Sequence, residues 1–295
     1  MVKPLKHNSP VILDFDQSIG HVEGATNIPM SEWQEAIRFG CSLETFRSLQ
    51  KSLDKALPEQ YGTVLTGSGD YHHLTWLLVE KLKHLGPFQV VLFDNHPDNM
   101  RFPMGIHCGS WVRKVALLPY VSHVHVLGVT SQDISFSSAW EQYWLPLLKG
   151  KVSYWCMDVN VSWSNWFGLG KAFHRFENPD QLIEQFIATQ LQDSNPSYLT
   201  IDKDVLSPDV VSTNWDQGRM LESHLVKVID ALKGNIIGSD ITGDVSNWQY
   251  KTWWKRKLSM LDGQNEITSS DLALWQKKQQ ALNSRLLNAL AQNSR

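Results

Sequence analysis

The chain has 295 residues, 42% hydrophobic and 19% charged, a globular composition that excludes intrinsic disorder. Its 27 basic and 30 acidic residues leave a formal charge of −3, without the basic excess of a nucleic-acid binder. Cys41, Cys108 and Cys156 form no Cys-x-x-Cys pair, the opening Met1 to Pro10 is polar, and no apolar run reaches membrane-spanning length. These features predict a reducing, cytoplasmic setting with no membrane partner and no disulfide framework.

Val11 to Phe15 is the first of several short apolar runs that each end in a polar cluster. Thr63 to Thr66, Gln89 to Phe93, His123 to Leu127, Val152 to Met157, Tyr198 to Ile201 and Asn235 to Gly238 follow it. Helical apolar spacing lies between most of them, as in Leu74, Leu77, Leu78 and Leu82, or Leu221, Leu225, Val228 and Ile229. Strands alternating with helices predict an α/β fold whose mainly parallel sheet is covered on both faces. No linker divides residues 1–295, so one domain is expected. After Asp240, Trp248 to Leu258 and Ser270 to Leu290 read as helices, the second opened by the capping cluster Ser269-Ser270-Asp271. Residues 247–295 are thus expected to form a helical extension packed on the body or on a partner subunit of a homo-oligomer. The basic stretch Lys251 to Lys257 reads as the solvated end of an amphipathic helix. The 13 tryptophans read as core or interface.

In an open parallel sheet, ligands bind beyond the carboxyl ends of the strands, where loops present side chains into one crevice. Three of the predicted strands run into acids and histidines there. Gln89–Phe93 continues into Asp94-Asn95-His96-Pro97-Asp98, Tyr198–Ile201 into Asp202-Lys203-Asp204, and Thr63–Thr66 through Gly67-Ser68-Gly69-Asp70 into Tyr71-His72-His73. On extended backbone, Asp94, His96 and Asp98 would share a face, as would Asp202 and Asp204. With one further histidine the pool is four carboxylates and two imidazoles. Four negative charges balance two divalent cations bridged by shared carboxylates, and a mixed oxygen/imidazole set suits manganese, with iron, cobalt, nickel or zinc as alternatives and calcium poorly served.

These segments resemble the arginase/ureohydrolase superfamily, which includes arginases, agmatinases and formiminoglutamases and shares its fold with histone deacetylases. Asp94-Asn95-His96-Pro97-Asp98 is similar to the family's Asp-Ala-His-x-Asp motif, with Asn for Ala. Thr200 to Pro208 is similar to Ser-x-Asp-x-Asp-x-x-Asp-Pro, and Ser68 to Leu74 approximates Gly-Gly-Asp-His-Ser with a one-residue insertion. The motifs span roughly Gly67 to Asp244. The resemblance implies a three-layer α/β/α fold with about eight strands and a binuclear manganese centre held by His72, Asp94, His96, Asp98, Asp202 and Asp204. Asp94 and Asp202 would bridge the ions, and His73 competes with His72 across the insertion. It further implies a small-molecule substrate attacked at a planar, nitrogen-bearing carbon by a metal-bridging hydroxide. Asp98 would pass a proton to the leaving nitrogen, and His107, in His107-Cys108-Gly109, would shuttle protons.

The departures concern the substrate. Where the family has a glutamate that pairs with guanidinium, the segment Asp240-Ile241-Thr242-Gly243-Asp244-Val245-Ser246 carries Gly243, leaving its neighbour Asp244 as the expected replacement. The loop from Asp98 to His107 is short and lacks the family's Ser-Gly-Asn residues for an α-amino acid. Both argue against arginine and leave a guanidino, formimino or amide compound. Three rivals remain. Val11 to Ser18 has the strand-Asp-x-Asp-x-Ser shape of a haloacid-dehalogenase-type phosphatase using Asp14 and Asp16. The others are a one-zinc deacetylase-like amidohydrolase and a non-catalytic relative kept for binding.

Overall fold

The computed structural model describes residues 9–192, 195–261 and 267–293; the polar opening up to position 8 lies outside them. The strands are β1 (Val11–Asp14), β2 (Thr26–Pro29), β3 (Gly40–Cys41), β4 (Val64–Gly67), β5 (Phe88–Phe93), β6 (Ile106–His107), β7 (Val121–Val129), β8 (Val152–Met157), β9 (Phe173–Phe176), β10 (Ser197–Asp202) and β11 (Ile236–Thr242). Among the described residues, nine of them form one sheet in the order β2-β1-β4-β11-β10-β5-β7-β8-β9. Every pairing in it is parallel. The short β3 and β6 pair antiparallel beside it. The seven strands expected from apolar runs are all present. The two others, β2 and β9, are the edges, where one-sided burial leaves polar residues in the run and no continuous apolar signal.

Alternation along each strand separates two cores. Val90, Leu92, Val124 and Val126 face one side, against Phe46, Leu49 and Leu53 of the helix Leu43–Ala56 and Val112 and Val115 of Val112–Ala116. Val91, Phe93, Leu199 and Ile201 face the other, against the helices Pro179–Gln192, Glu222–Ala231 and Ser269–Asn293. The result is the three-layer α/β/α arrangement.

The last helix, Ser269–Asn293, buries Leu282, Leu286 and Leu290 in the second core, so its apolar stripe covers this chain's own sheet. The preceding helix begins at Trp253, five residues later than its apolar spacing suggests. Glu35 holds the missing turn away from helix: it accepts from Trp248 Nε1 at 2.8 Å and from Thr252 N and Oγ1 at 2.9 and 2.7 Å. No described helix is long and apolar enough to cross a membrane.

Candidate metal centre

The central strands end in register. Ile201 of β10 pairs with Phe93 of β5, so Asp202 and Asp94 stand side by side at the carboxyl edge. The chain then leaves strand geometry. Asp94 Oδ1 accepts from His96 N at 2.7 Å, and Asp98 adopts a left-handed φ of 46°. His96 and Asp98 therefore reach the cluster through turns rather than along a straight strand. Asp202 caps the turn Lys203–Val205 by accepting from Asp204 N at 3.2 Å, which returns Asp204 to the same side.

The third contribution comes from the 3₁₀ helix Gly69–Leu74, where successive side chains point about 120° apart. Tyr71 stacks on Phe15 with centroids 4.4 Å apart, His73 stacks on Phe46 at 5.6 Å, and His72 alone of the three meets the carboxylates. Tyr71 is thus absorbed into the core, and His72 rather than His73 lies at the cluster. His72 Nδ1 lies 3.0 Å from Asp98 Oδ2, 3.2 Å from Asp94 Oδ2 and 3.3 Å from Asp202 Oδ2. Across the cluster, His96 Nδ1 lies 2.9 Å from Asp204 Oδ2 and 3.6 Å from Asp94 Oδ1. Two groups of three donors emerge, His72/Asp94/Asp202 and Asp94/His96/Asp204, each with its ligand atoms within 4.8 Å of one another and both sharing Asp94.

The charge of this pocket asks for cations. Thr200 Oγ1 donates to Asp240 Oδ1 at 2.7 Å and so accepts from His72 Nε2 at 3.2 Å. That tautomer turns the Nδ1 lone pair toward three carboxylate oxygens, an arrangement that needs a proton or a cation between them. Burial alone would lower the His72 pKa, yet its hydrogen bonds to the carboxylates of Asp202, Asp94 and Asp98 hold it well above the usual imidazole range. Burial next to Asp94 pushes Asp98 up to about 7, and burial with Asp202 and Asp94 alongside raises Asp204 well above its ordinary value. Asp94 is also buried, but hydrogen bonds from His72 and His96 outweigh this and bring it down to about 2. Its buried Oδ2 faces His72 Nδ1 at 3.2 Å. A lone pair aimed at three acids and two donor sets sharing one residue fit a pair of divalent ions.

Supporting residues outside the expected ligand set complete the shell. Asp240 accepts from Thr200, from Thr75 at 3.1 Å and from Tyr198 at 2.6 Å, and so sets the His72 ring. Asp216 Oδ1 lies 2.7 Å from His96 Nε2, and Asn95, the residue in the family's alanine position, donates to Asp216 Oδ2 at 3.0 Å. Trp111 Nε1 donates to Asp98 Oδ2 at 2.6 Å. A cavity of about 520 Å³ opens above the cluster, with His107 in its wall. His107 Nδ1 accepts from Gly109 N at 3.0 Å, and burial lowers its pKa to about 4.

Asp244, and the pair Asp14 and Asp16 of the phosphatase alternative, fall elsewhere. Asp244 is fully buried away from the cavity, with Oδ1 2.7 Å from Lys203 Nζ and 3.0 Å from Asn283 Nδ2. It is the counter-ion of the lysine between Asp202 and Asp204, which corrects its expected role as a replacement for the glutamate. Gly243 leaves no room for that glutamate either. Its φ is 89°, and a Cβ there would lie 2.5 Å from Asp202 Oδ1. Of the phosphatase-like pair, Asp16 Oδ2 accepts from buried Arg38 at 3.0 Å and from Ser246 Oγ at 2.7 Å, and Asp14 Oδ1 accepts from Gln17 N. Arg38 also pairs with Asp70 at 2.7 Å, so Asp16 and Asp70 neutralise a buried guanidinium.

No family model matches the chain. A protein of Thermotoga maritima described as uncharacterized is 28% identical over 213 residues, 71% of this chain and 70% of that protein. Among solved structures, arginase from Bacillus subtilis superposes with a TM-score of 0.57 at 14% identity, covering 96% of this chain and 98% of that one. The agmatine ureohydrolase of Thermoplasma volcanium gives 0.56 at 12% identity, covering 100% and 95%. Formimidoylglutamase from Bacillus subtilis gives 0.51 at 14% identity, covering 98% and 87%. The chain has the arginase-like α/β fold.

Proposed function

We propose that this chain is a binuclear metal-dependent hydrolase that cleaves a linear carbon–nitrogen bond in a small guanidino, formimino or amide compound other than arginine. The observation that carries the reading is Asp94, shared by two donor sets at the carboxyl edge of the central strands. The likeness in fold to proteins named arginase, agmatine ureohydrolase and formimidoylglutamase supports the same reaction class. His72, Asp94, Asp98 and Asp202 would hold one ion and Asp94, His96, Asp202 and Asp204 the other, with manganese suited to the mixed oxygen and imidazole donors. When bound, two such ions supply Lewis acidity that makes water a nucleophile near neutral pH and polarises the carbon under attack.

The chain's own residues do the rest. Asp98, hydrogen-bonded to Trp111 and His72, is placed to hand a proton to the departing nitrogen. His107 has Nδ1 committed to Gly109 N, so its proton sits on Nε2, available for exchange at the cavity wall. The Asp240–Thr200–His72 chain keeps the lone pair of Nδ1 on the cluster, and Asp216 does the corresponding work for His96. Without a carboxylate at Gly243, a guanidinium loses the partner that the family's glutamate would offer.

Metal analysis tests the reading. Protein prepared with manganese should carry about two ions per chain, and Asp202→Ala should lose them while Asp14→Ala keeps them. Fewer than one ion per chain in the parent would overturn the proposal in favour of a non-catalytic relative. Phosphoester hydrolysis surviving both His96→Ala and Asp202→Ala would point instead to Asp14 and Asp16.

A further inference from the structure

Above the acidic floor, the cavity walls are largely carbon. Phe39, Met100, Phe102, Cys108, Trp215 and Leu258 line it. The rings of Phe39 and Trp215 run within 16° of parallel with centroids 6.4 Å apart, and Phe102 meets His107 edge-on at 4.4 Å. The wall is also rigidly built. Phe39 has a φ of 67°, a left-handed conformation that a bulky residue adopts only when its surroundings enforce it. Its N–H donates to Asp70 O at 3.0 Å, its carbonyl accepts from Cys108 N at 2.9 Å, and Tyr250 packs edge-on against its ring. The buried Lys255 ammonium locks the same turn by donating to the carbonyls of Glu35, Ala36 and Arg38 at 2.6 to 3.0 Å.

The charged groups around the cavity do not suit an amino acid. With the four floor acids balanced by the two ions, the acids left in the lining are Asp133 and Asp216, against Arg101 as its single arginine. Arg101 turns aside, with Nε donating to Gln142 O at 3.2 Å and the guanidinium 5.9 Å from the Tyr143 ring. An α-carboxylate would thus meet carboxylates, whereas a planar cation finds aromatic faces and negative charge.

Resting on the hydrolase reading above, we infer that the substrate carries its hydrolysable group on a planar apolar body, seated against Phe39, Trp215 and Phe102, and is not an amino acid. Pre-organised aromatic surface of this kind binds flat apolar groups without the entropy loss of ordering its own side chains.

Calorimetric titration of the manganese-loaded full chain compares benzylguanidine, methylguanidine and arginine, and release of urea or ammonia is assayed separately on the same compounds. Benzylguanidine should bind at least about tenfold more tightly than arginine, a difference of one decade in Kd. Phe39→Gly deletes the ring while suiting the left-handed backbone, and Trp215→Ala removes the facing ring without touching that turn. Each should erase most of the advantage of benzylguanidine over methylguanidine, and Trp215→Phe should restore it. Equal or tighter binding of arginine overturns the inference, as does an advantage that survives both deletions. Failure of every compound to be hydrolysed removes guanidino compounds from the reaction class and leaves the formimino and amide ones, while the binding preference still decides whether the wall takes a planar apolar body.

Discussion

Asp240 acts on the cluster through hydroxyls: three converge on it, and one of them, Thr200, fixes the ring of His72. Converting it to the amide keeps the shape and removes the charge that orders this chain of donors. Asp240→Asn should weaken manganese binding by about 10–100-fold, the usual consequence of loosening a group that orients a metal ligand; unchanged titration would show that His72 needs no such support. Gly243 makes the opposite point. Installing the family's side chain with Gly243→Glu would drive a Cβ to 2.5 Å from Asp202 Oδ1 at a φ of 89°. The expected result is loss of bound manganese rather than gain of guanidine hydrolysis, read from metal stoichiometry and urea release together. Asn95 also departs from the family pattern for a visible reason: it ties Asp216 to Thr130, whose N and Oγ1 both donate to Asn95 Oδ1.

At the scale of elements, the turn carrying Asp202 and Asp204 is supported from behind by the C-terminal helix. Lys203 Nζ donates to Asn283 Oδ1 at 2.9 Å, and Gln279 Nε2 of the same helix donates to Gly243 O at 3.1 Å. Lys203 and Asp244 form an ion pair with no exposed side-chain surface. Lys203→Met strands the carboxylate of Asp244 in the interior and should cost about 3–5 kcal/mol in urea unfolding. Adding Asp244→Leu removes the stranded charge and should recover part of that loss. A single substitution costing under about 1 kcal/mol would mean that water reaches the pair. The 3₁₀ helix that delivers His72 depends on its tight pitch in the same structural sense. One residue more or less would exchange His72 with Tyr71 or His73 at the cluster.

Over the whole molecule, the two faces of the sheet separate the tasks. The carboxyl edge gathers the acids, while a histidine group sits on β7 and β9, where His123 and His125 lie tilted with ring centroids 4.3 Å apart and His174 stacks on Trp155 of β8. Burial holds His123 near 4 and keeps His125 well below the ordinary imidazole value. The unfolded chain takes up protons at these positions from about pH 6.5 downward, whereas the folded chain resists at His123 until near pH 4. Their stabilising contribution is complete above pH 6.5 and is lost as pH falls toward 4. His123→Asn should therefore flatten the decline in Tm across that interval relative to the parent. Parallel Tm curves for the two proteins between pH 6.5 and 4 would show that His123 takes up its proton without cost.

The amino-acid sequence by itself determined the alternating α/β architecture, because each buried strand is a contiguous apolar run, and it located the acids at the strand ends, because those residues directly follow the runs. Asp94, His96, Asp98, Asp202 and Asp204 were legible for that reason. Only the tertiary structure decided what local order leaves open. The phase of a 3₁₀ turn selected His72 over His73, and a lysine buried behind the sheet claimed Asp244. The edge strands β2 and β9 exist through pairing rather than through their own composition. Asp216, Phe39 and Trp215 join the site from segments remote in sequence, and no spacing rule reaches them. Side-chain direction and long-range proximity are properties of the packed chain, so they enter only when it closes.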